Sequence, residues 1–519
     1  MTQKTDDTQP LLRSITNEGH QVYTDSPSGW QHDSDINDGA TTIVDFDPHG
    51  DAENPLEWPT PFKWAVVSML ALMAFTVTLT CISVVPLASD IVRDLSHSPN
   101  PPKSASILLV TIWELGEAAG PLLIAPLSEM FGRYPVMNAA NLLFIGASVL
   151  AATSQTVPQL VVARMLNGLV TAVNVLNPAI VGDMFVSDER GGALSLLFLA
   201  PLLGGACGPM VGSAVADRYG WRTVIWMTVA VASACELLFL LCFRETYKVA
   251  ILRRRARDMM NSRAAGSARS FKTAFDEAED GLRGGRPASE WDKLRDAVLR
   301  PATVLCNSRV LMAMSLFSSF AYSYFYVYST TFSDILLDIY HLTPVTVGSC
   351  FAIFSIGSTV SVVICNRSLD RIYRRMRSTH KGVDKPEFRL PLAIVGAFGL
   401  PITIAAYGWA AQLRLPLLFL LFCVCAIGAM LMLGLIPVMA YVVDAFGLFS
   451  ASAITGIIVS RCLISTFLPL TAAPLIESLG YGWGFTVLAG FSLLLAPIPV
   501  LMLRFGAHWR RSSKYSRDA

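Results

Sequence analysis

Charge is scarce in this chain. Of its 519 residues only 15% are Asp, Glu, Lys or Arg, and the net charge is +1. So even a balance offers no bulk attraction to nucleic acid, which is excluded as a partner. Paired cysteine spacing is also missing. The ten cysteines, Cys81, Cys207, Cys235, Cys423 and Cys425 among them, fall in or beside apolar stretches and read as small buried hydrophobes. No metal-ligand cluster, nucleophile–base pair or phosphate-cradling glycine loop stands out, so no metal, no cofactor and no enzymatic activity are expected. No signal peptide precedes the first apolar stretch, which is expected to act as its own targeting signal.

What the chain has in abundance is apolar length: 53% of its residues are hydrophobic. Twelve stretches of about twenty residues recur as six, a long polar gap, then six. A bilayer core about 30 Å thick takes about 20 helical residues to cross, and backbone polar groups in it must be satisfied internally. The reading is an all-α membrane protein with twelve transmembrane helices in two pseudo-symmetric six-helix bundles. The expected spans are 64–86, 104–126, 135–154, 159–181, 194–216 and 221–243, then 309–333, 345–366, 390–409, 416–440, 448–471 and 484–503. The corresponding divisions are a disordered N-terminal arm (1–60), the first bundle (61–243), a central loop (244–308), the second bundle (309–503) and a tail (504–519).

Sidedness follows from the basic residues. With the N-terminus in the cytoplasm, 33 of the Lys and Arg residues fall on cytoplasmic segments and five on outside loops, as the positive-inside rule requires. Both termini are then cytoplasmic, and the Asn366-Arg367-Ser368 site stays unglycosylated. The plasma membrane is the expected location. Asp7-Thr-Gln-Pro-Leu11-Leu12 has the form of an acidic dileucine signal and keeps a vacuolar or endosomal membrane open as the alternative. The basic central loop, with Arg253-Arg254-Arg255, reads as a solvated connector that meets lipid headgroups.

Five charged residues lie well inside spans: Glu114, Glu117, Arg164, Glu236 and Arg461. Unpaired, they would cost on the order of 10 kcal/mol together, as much as a domain's stability, so they must pair, take up protons or face a wet cavity. Glu114 and Glu117 sit three apart and share a helix face. Two carboxylates that close in low dielectric cannot both ionise cheaply, which suits a group that binds and releases a proton. One of them could equally be a fixed partner of Arg164; the two readings are compatible.

Arg164, Asn167, Thr171, Asn174 and Pro178 recur at spacings of 3 and 4, drawing one polar stripe along the fourth span. Ser315, Ser319, Tyr322, Tyr326, Ser329 and Ser333 do the same on the seventh. Either stripe could be interhelical hydrogen-bond glue or the wall of a substrate cavity. Asn167, Thr171, Asn174, Tyr322 and Tyr326, with Glu236 and Arg461, make up the candidate substrate cavity. Gly204, Gly208 and Gly212, with Pro209 between, repeat every four residues on the fifth span. That pattern permits close helix approach, and reads as plain packing or as a seam on which two halves rock.

At this point the chain, over about 54 to 505, resembles the major facilitator superfamily, and more narrowly fungal drug:proton antiporters with twelve spans. Ala125-Pro-Leu-Ser-Glu129-Met-Phe-Gly132-Arg133 resembles the loop motif between the second and third spans, with Glu129 as its acidic residue and Arg133 as its gating arginine. Asp370-Arg371 resembles a decayed second copy. Arg164-Met-Leu-Asn-Gly168 is similar to an element linked to proton coupling, and Gly204-Gly-Ala-Cys-Gly208-Pro209-Met-Val-Gly212 to the antiporter motif. Asn54-Pro55-Leu-Glu-Trp58, Gly182-Asp183, Gly220-Trp221-Arg222 and Glu245-Thr-Tyr247 add family matches at helix ends.

The resemblance implies alternating access, with proton coupling at Glu114, Glu117 and Arg164. It also implies gating by Glu129, Arg133, Asp183, Glu245, Asp370 and Arg371. The expected function is proton-coupled efflux of small amphipathic organic compounds, such as a fungal secondary metabolite, toxin or drug. The expected partners are that substrate, protons and membrane lipids, and the chain is expected to work as a monomer. The alternatives are a symporter importing a nutrient and a non-transporting sensor on the same fold.

Overall fold

A computed structural model describes residues 42–47, 50–98, 102–186, 189–262, 271–273, 290–380 and 385–511. The dileucine-like segment lies outside the described residues.

The first bundle holds α1 (Thr60–Ile82), a short α2 (Ala88–Ser96), α3 (Lys103–Phe131), α4 (Arg133–Ala152), the pair α5 (Val157–Leu169) and α6 (Val173–Met184), α7 (Arg190–Tyr219) and α8 (Trp221–Cys242). Two further helices follow, α9 (Lys248–Ser262) and α10 (Glu290–Cys306). The second bundle holds α11 (Arg309–Asp334), a short α12 (Pro344–Cys350) leading into α13 (Ala352–Thr379), α14 (Pro391–Gln412), α15 (Leu417–Phe446), α16 (Ser450–Leu495) and α17 (Pro497–Arg511). Ten of these segments are individually long and apolar enough to cross a membrane. The tenth turns at Gly480 (φ 77°) and holds two of the expected spans, and α5 with α6 makes another, which brings the architecture to twelve.

Packing follows the sixfold repeat. In the first bundle α1 packs on α7, α3 on α5, and α4 on α8. In the second, α11 packs on α16, α13 on α15, and α14 on the part of α16 beyond the bend and on α17. The bundles meet where α3 lies along α16, and where α12 and α13 lie along α7. Large apolar side chains point outward in a belt (Leu418 is 80% exposed, Leu494 74%, Ile402 70%), the surface of a protein solvated by lipid tails.

Helix ends depart from the expected ones for identifiable reasons. The fourth span is not continuous. Thr171 Oγ1 donates to the Asn167 carbonyl (2.8 Å) and competes with the backbone for that acceptor, and the helix breaks over 170–172. The break resets the register: beyond it Asn177 is buried and Pro178 is exposed, so the predicted stripe does not run through. The helix α13 runs on to Thr379 past the expected end at 366. Hydropathy marks where the chain leaves lipid, not where a helix made of good formers such as Arg and Met stops.

Two polar stretches hold more structure than expected. In the arm, β1 (Thr42–Val44) pairs in parallel with β2 (Phe271–Thr273) of the central segment. Arg255 of α9 donates to both Asp51 oxygens (2.8 and 3.1 Å) and to Glu53 (2.7 Å), and Val44, Leu252 and Ala256 bury a small satellite core. The Arg255 guanidinium holds the Asp51 carboxyl down at about 2. Asn54 accepts from the Leu56 amide (3.3 Å) and Trp58 Nε1 donates to the Ala52 carbonyl (3.2 Å), which explains the Asn-Pro-Leu-Glu-Trp run as a fixed lead-in to α1. The segment read as a plain connector thus carries two helices, and the end of the arm is pinned to one of them.

Candidate functional site: a charged centre between the bundles

Glu114 and Glu117 project from one face of α3 and are both buried. Tyr326 of α11 donates its hydroxyl to Glu114 Oε1 at 2.6 Å. Glu114 Oε2 has no hydrogen-bond partner among the described residues. Arg461 of α16 donates to Glu117 Oε1 at 3.4 Å, and its guanidinium lies 4.2 Å from the centre of the Tyr322 ring. Cys462 brings its sulfur within 4.8 Å of an oxygen from each glutamate. The carboxylates therefore belong to the first bundle and their partners to the second.

Arg461, and not Arg164, is the ionic partner in this centre. The Arg164 guanidinium donates to the carbonyls of Thr80 (3.1 Å) and Cys81 (2.8 Å) in the last turn of α1, and lies 4.9 Å over the Trp113 ring. Carbonyls there have no intrahelical donor and sit at the negative end of the helix dipole, so a cation satisfies both. Asn167 accepts from Ser148 Oγ at 3.3 Å, so with Thr171 it bonds within the first bundle. The Asn174 side chain lies outside the described residues. Glu236 accepts from Asn141 of α4 at 2.8 Å, between the third and sixth spans. None of the central residues bonds it among the described residues, which removes it from the expected cavity.

The face of α11 is more consistent with expectation. Ser315, Ser319, Tyr326, Ser329 and Ser333 are all buried and Tyr322 is half-buried. Aromatic rings join behind them: Tyr328 stacks on Phe354 (5.1 Å, 13°), and Phe325 meets Tyr326 edge-on (5.0 Å, 83°). The buried hydroxyls of Ser318, Ser319, Tyr328 and Ser465 have no partner among the described residues, and burial without a partner is costly. An apolar aromatic wall studded with unmatched hydroxyls suits an amphipathic guest.

The glycine stripe has a different neighbour from the one the rocking seam requires. A Cβ on Gly204 would stand 2.7 Å from the Phe75 carbonyl, and one on Gly212 2.7 Å from the Ser83 carbonyl. Gly208 likewise faces Leu79. All three face α1 or its end, inside the first bundle. The contact with the other bundle is made by Pro209 and Ser213, which press on Gly348 of α12.

The gating residues form two clusters at the cytoplasm-assigned ends. Arg133 is buried, donates Nε to Asp183 (3.3 Å) and lies 4.7 Å over the Tyr247 ring. Glu245 accepts from the amides of Arg133 (2.9 Å), Tyr134 (3.1 Å), Thr246 (3.0 Å) and Tyr247 (2.8 Å), capping the start of α4. Gly132 is required there: its φ is 100°, and a Cβ would stand 2.3 Å from a Glu245 oxygen. Glu129 is exposed at the edge of this cluster, where burial, together with the Glu129 charge, raises the Tyr247 hydroxyl above its ordinary value. Every member lies in the first bundle or in the first residues after it, and none in the second, so the cluster does not itself lock the two bundles together.

In the second bundle Arg389 bonds Asp370 (3.1 Å) and also pairs with Asp444, while Arg371 is exposed. Arg510 donates to both oxygens of Glu387 (2.8 and 3.2 Å), a fully buried pair. The sequence reading missed Arg389, Asp444, Glu387 and Arg510. One signal was available: Asp444 ends the tenth span as Asp183 ends the fourth.

Two bundles joined across a buried carboxylate–arginine centre, inside a lipid-facing belt, define a membrane transporter rather than an enzyme. The family model of the Major Facilitator Superfamily matches residues 66–468, and the chain belongs to that superfamily. It is 31% identical over 480 residues to the efflux pump radE of Floropilus chiversii, covering 91% of this chain and 86% of that one. It is 29% identical to the MFS transporter cpaT of Aspergillus oryzae, covering 92% and 93%. Among solved structures, the D-xylose-proton symporter matches with a TM-score of 0.61 at 17% identity, covering 86% of this chain and 97% of that one. The human organic anion transporter MFSD10 (TETRAN) matches at 0.57 and 18%, covering 85% and 100%. At such identities these two structures speak for the fold alone.

Proposed function

We propose that the protein is a proton-coupled efflux transporter that exports small amphipathic organic compounds, such as a secondary metabolite or a xenobiotic, from a fungal cell by alternating access. It works as a monomer in the plasma membrane with both termini in the cytoplasm; the vacuolar membrane is the alternative location. The single observation that supports this best is the pair of carboxylates on α3 whose partners, Tyr326 and Arg461, belong to the other bundle. Charge at that joint decides how tightly the bundles hold. A proton taken up from the acidic side neutralises a glutamate, Arg461 falls back on Tyr322, and the cavity reopens toward the other side. Substrate and proton compete for the same centre, which makes the exchange obligatory. The efflux pump named above, similar along nearly its whole length, favours export over import.

The driving force is sufficient. One charge crossing 100 mV supplies about 2.3 kcal/mol, and a gradient of about 1.5 pH units adds roughly 2 kcal/mol. Together these sustain an outward ratio of about a thousandfold for a neutral substrate. The test uses inside-out vesicles and a panel of fluorescent amphipathic compounds. An exporter accumulates them when the lumen is acidified and alkalinises the lumen as it does so. Accumulation only when proton and solute move in the same direction would replace antiport by symport.

A further inference from the structure

The geometry points to a binding site for the phosphorylated headgroup of an anionic lipid, at the membrane end where α9 crosses beneath α3, α4 and α8. A cavity of about 1140 Å³ opens there, and its walls include Arg244, Arg254, Arg257, Phe131, Tyr134 and Met259. Most of the other charges lining it are already engaged. Arg255 is held by Asp51 and Glu53, which also occupies Glu53, and Glu245 is taken up by four backbone amides. Arg254 and Arg257 have no ion-pair partner among the described residues, and Arg244 only lies 5.4 Å from the Phe62 ring centre. Asp258 is the one lining carboxylate left beside these three guanidinium groups.

Arg254 and Arg257 stand three apart on α9 and so share a face. Planar guanidinium groups bind phosphate oxygens in pairs, and basic clusters at a membrane surface gain affinity for anionic lipid with each charge. The apolar side of the cavity selects lipid over a free anion. Phe131, on the cavity wall, is 62% exposed and offers an apolar lip on the lipid-facing surface. Tyr134 stacks on Phe243 (6.0 Å, 25°) as an aromatic floor. The lysine and arginine bias assigns this end to the cytoplasmic leaflet, where anionic lipid is concentrated. The occupant is thus a lipid whose phosphate meets α9 and whose chains lie along Phe131. It would tie α9, and through Arg255 the arm, to the membrane independently of what the transporter carries.

Native mass spectrometry and thermal melting of the full chain test this after reconstitution in phosphatidylcholine vesicles doped with phosphatidylserine or phosphatidylinositol 4-phosphate. The wild type should retain anionic lipid and melt higher with it. Arg254→Gln with Arg257→Gln should weaken that retention about thirtyfold, two basic contacts' worth. Arg374→Gln with Arg375→Gln, an equal charge loss on exposed residues of α13, should leave it unchanged. Arg257→Gln alone provides the readout should the double variant express poorly. Equal retention by the α9 variants overturns the site. Binding of water-soluble inositol trisphosphate as tightly as the lipid overturns the lipid assignment and makes the occupant a soluble phosphate.

Discussion

The charges at the middle of this molecule and those at its cytoplasm-assigned ends are built on opposite plans. At the cytoplasm-assigned ends the pairs close within a bundle, whereas at the opposite end the exposed Lys103–Glu477 pair (3.6 Å) crosses between them. Arg133 meets Asp183 inside the first, and Glu387 grips Arg510 with two hydrogen bonds inside the second. At the centre, Glu117 and Arg461 sit in different bundles and share one hydrogen bond of 3.4 Å, near the long limit. A pair that closes inside one bundle, singly bonded as Arg133–Asp183 or doubly bonded as Glu387–Arg510, leaves that bundle free to move as a unit. A long ionic bond between the bundles, beside the short Tyr326–Glu114 hydrogen bond, makes a joint whose hold depends on the charge of the glutamates. The difference separates what must survive the transport cycle from what must break in it.

The largest expected effect comes from breaking the centre. Glu117→Gln, with Glu114→Gln as its neighbour control, should reduce proton-driven exchange in proteoliposomes on the order of a hundredfold for at least one of the two while the chain still folds, the scale of removing a proton-transfer group. Normal pumping by both variants would demote the centre to packing. Next is the end pair. Glu387→Ala removes the carboxylate that Arg510 grips with two hydrogen bonds in a buried site and should cost about 3–5 kcal/mol, read as lower melting temperature. Replacing both residues with apolar ones should recover most of the loss, and a single variant as stable as wild type would show that the pair contributes little.

A smaller effect is expected at the glycine stripe. Gly204→Leu forces α7 off α1, against the Phe75 carbonyl, and should destabilise by about 1–3 kcal/mol as overpacking does. Crosslinking between α7 and α12 would stay unchanged, because the stripe does not face the other bundle. Smallest is the arm latch: Arg255→Ala should cost under about 1 kcal/mol. Its pH dependence has a definite sign. The Asp51 carboxyl is held at about 2, below its ordinary value of 3.8. Its contribution is present above that ordinary value and is lost only as pH falls through about 2. The stability difference between wild type and Arg255→Ala should therefore be flat from pH 5 to 8, and a slope there would place another group in the latch.

The architecture was largely legible, because long apolar runs have one physical solution in a bilayer. Glu114 and Glu117 were legible for the same reason: charge in lipid is costly and must be accounted for. What was not legible is who pairs with whom. Arg461 lies 344 positions from Glu117, and no local spacing links them. Arg164 was the nearer arginine, but helix-end carbonyls, invisible as a pattern of side chains, claimed it. The fourth-span stripe failed at Thr171, where one hydroxyl shifted the helical register. In the sequence Arg371 stands beside Asp370, whereas the folded chain brings Arg389 there from the next loop. Helix faces are written locally; partners across bundles are not.

The central claim is that ionisation of Glu117 holds the two bundles together. Spin labels at Tyr219 and Leu413, exposed ends of α7 and α14, report the distance between bundles once the exposed Cys242 and Cys306 are replaced by serine. In lipid nanodiscs the wild type should shift from one distance population to another as pH falls. Glu117→Gln should show the acid population at every pH. A pH-driven shift that survives intact in Glu117→Gln would contradict the account.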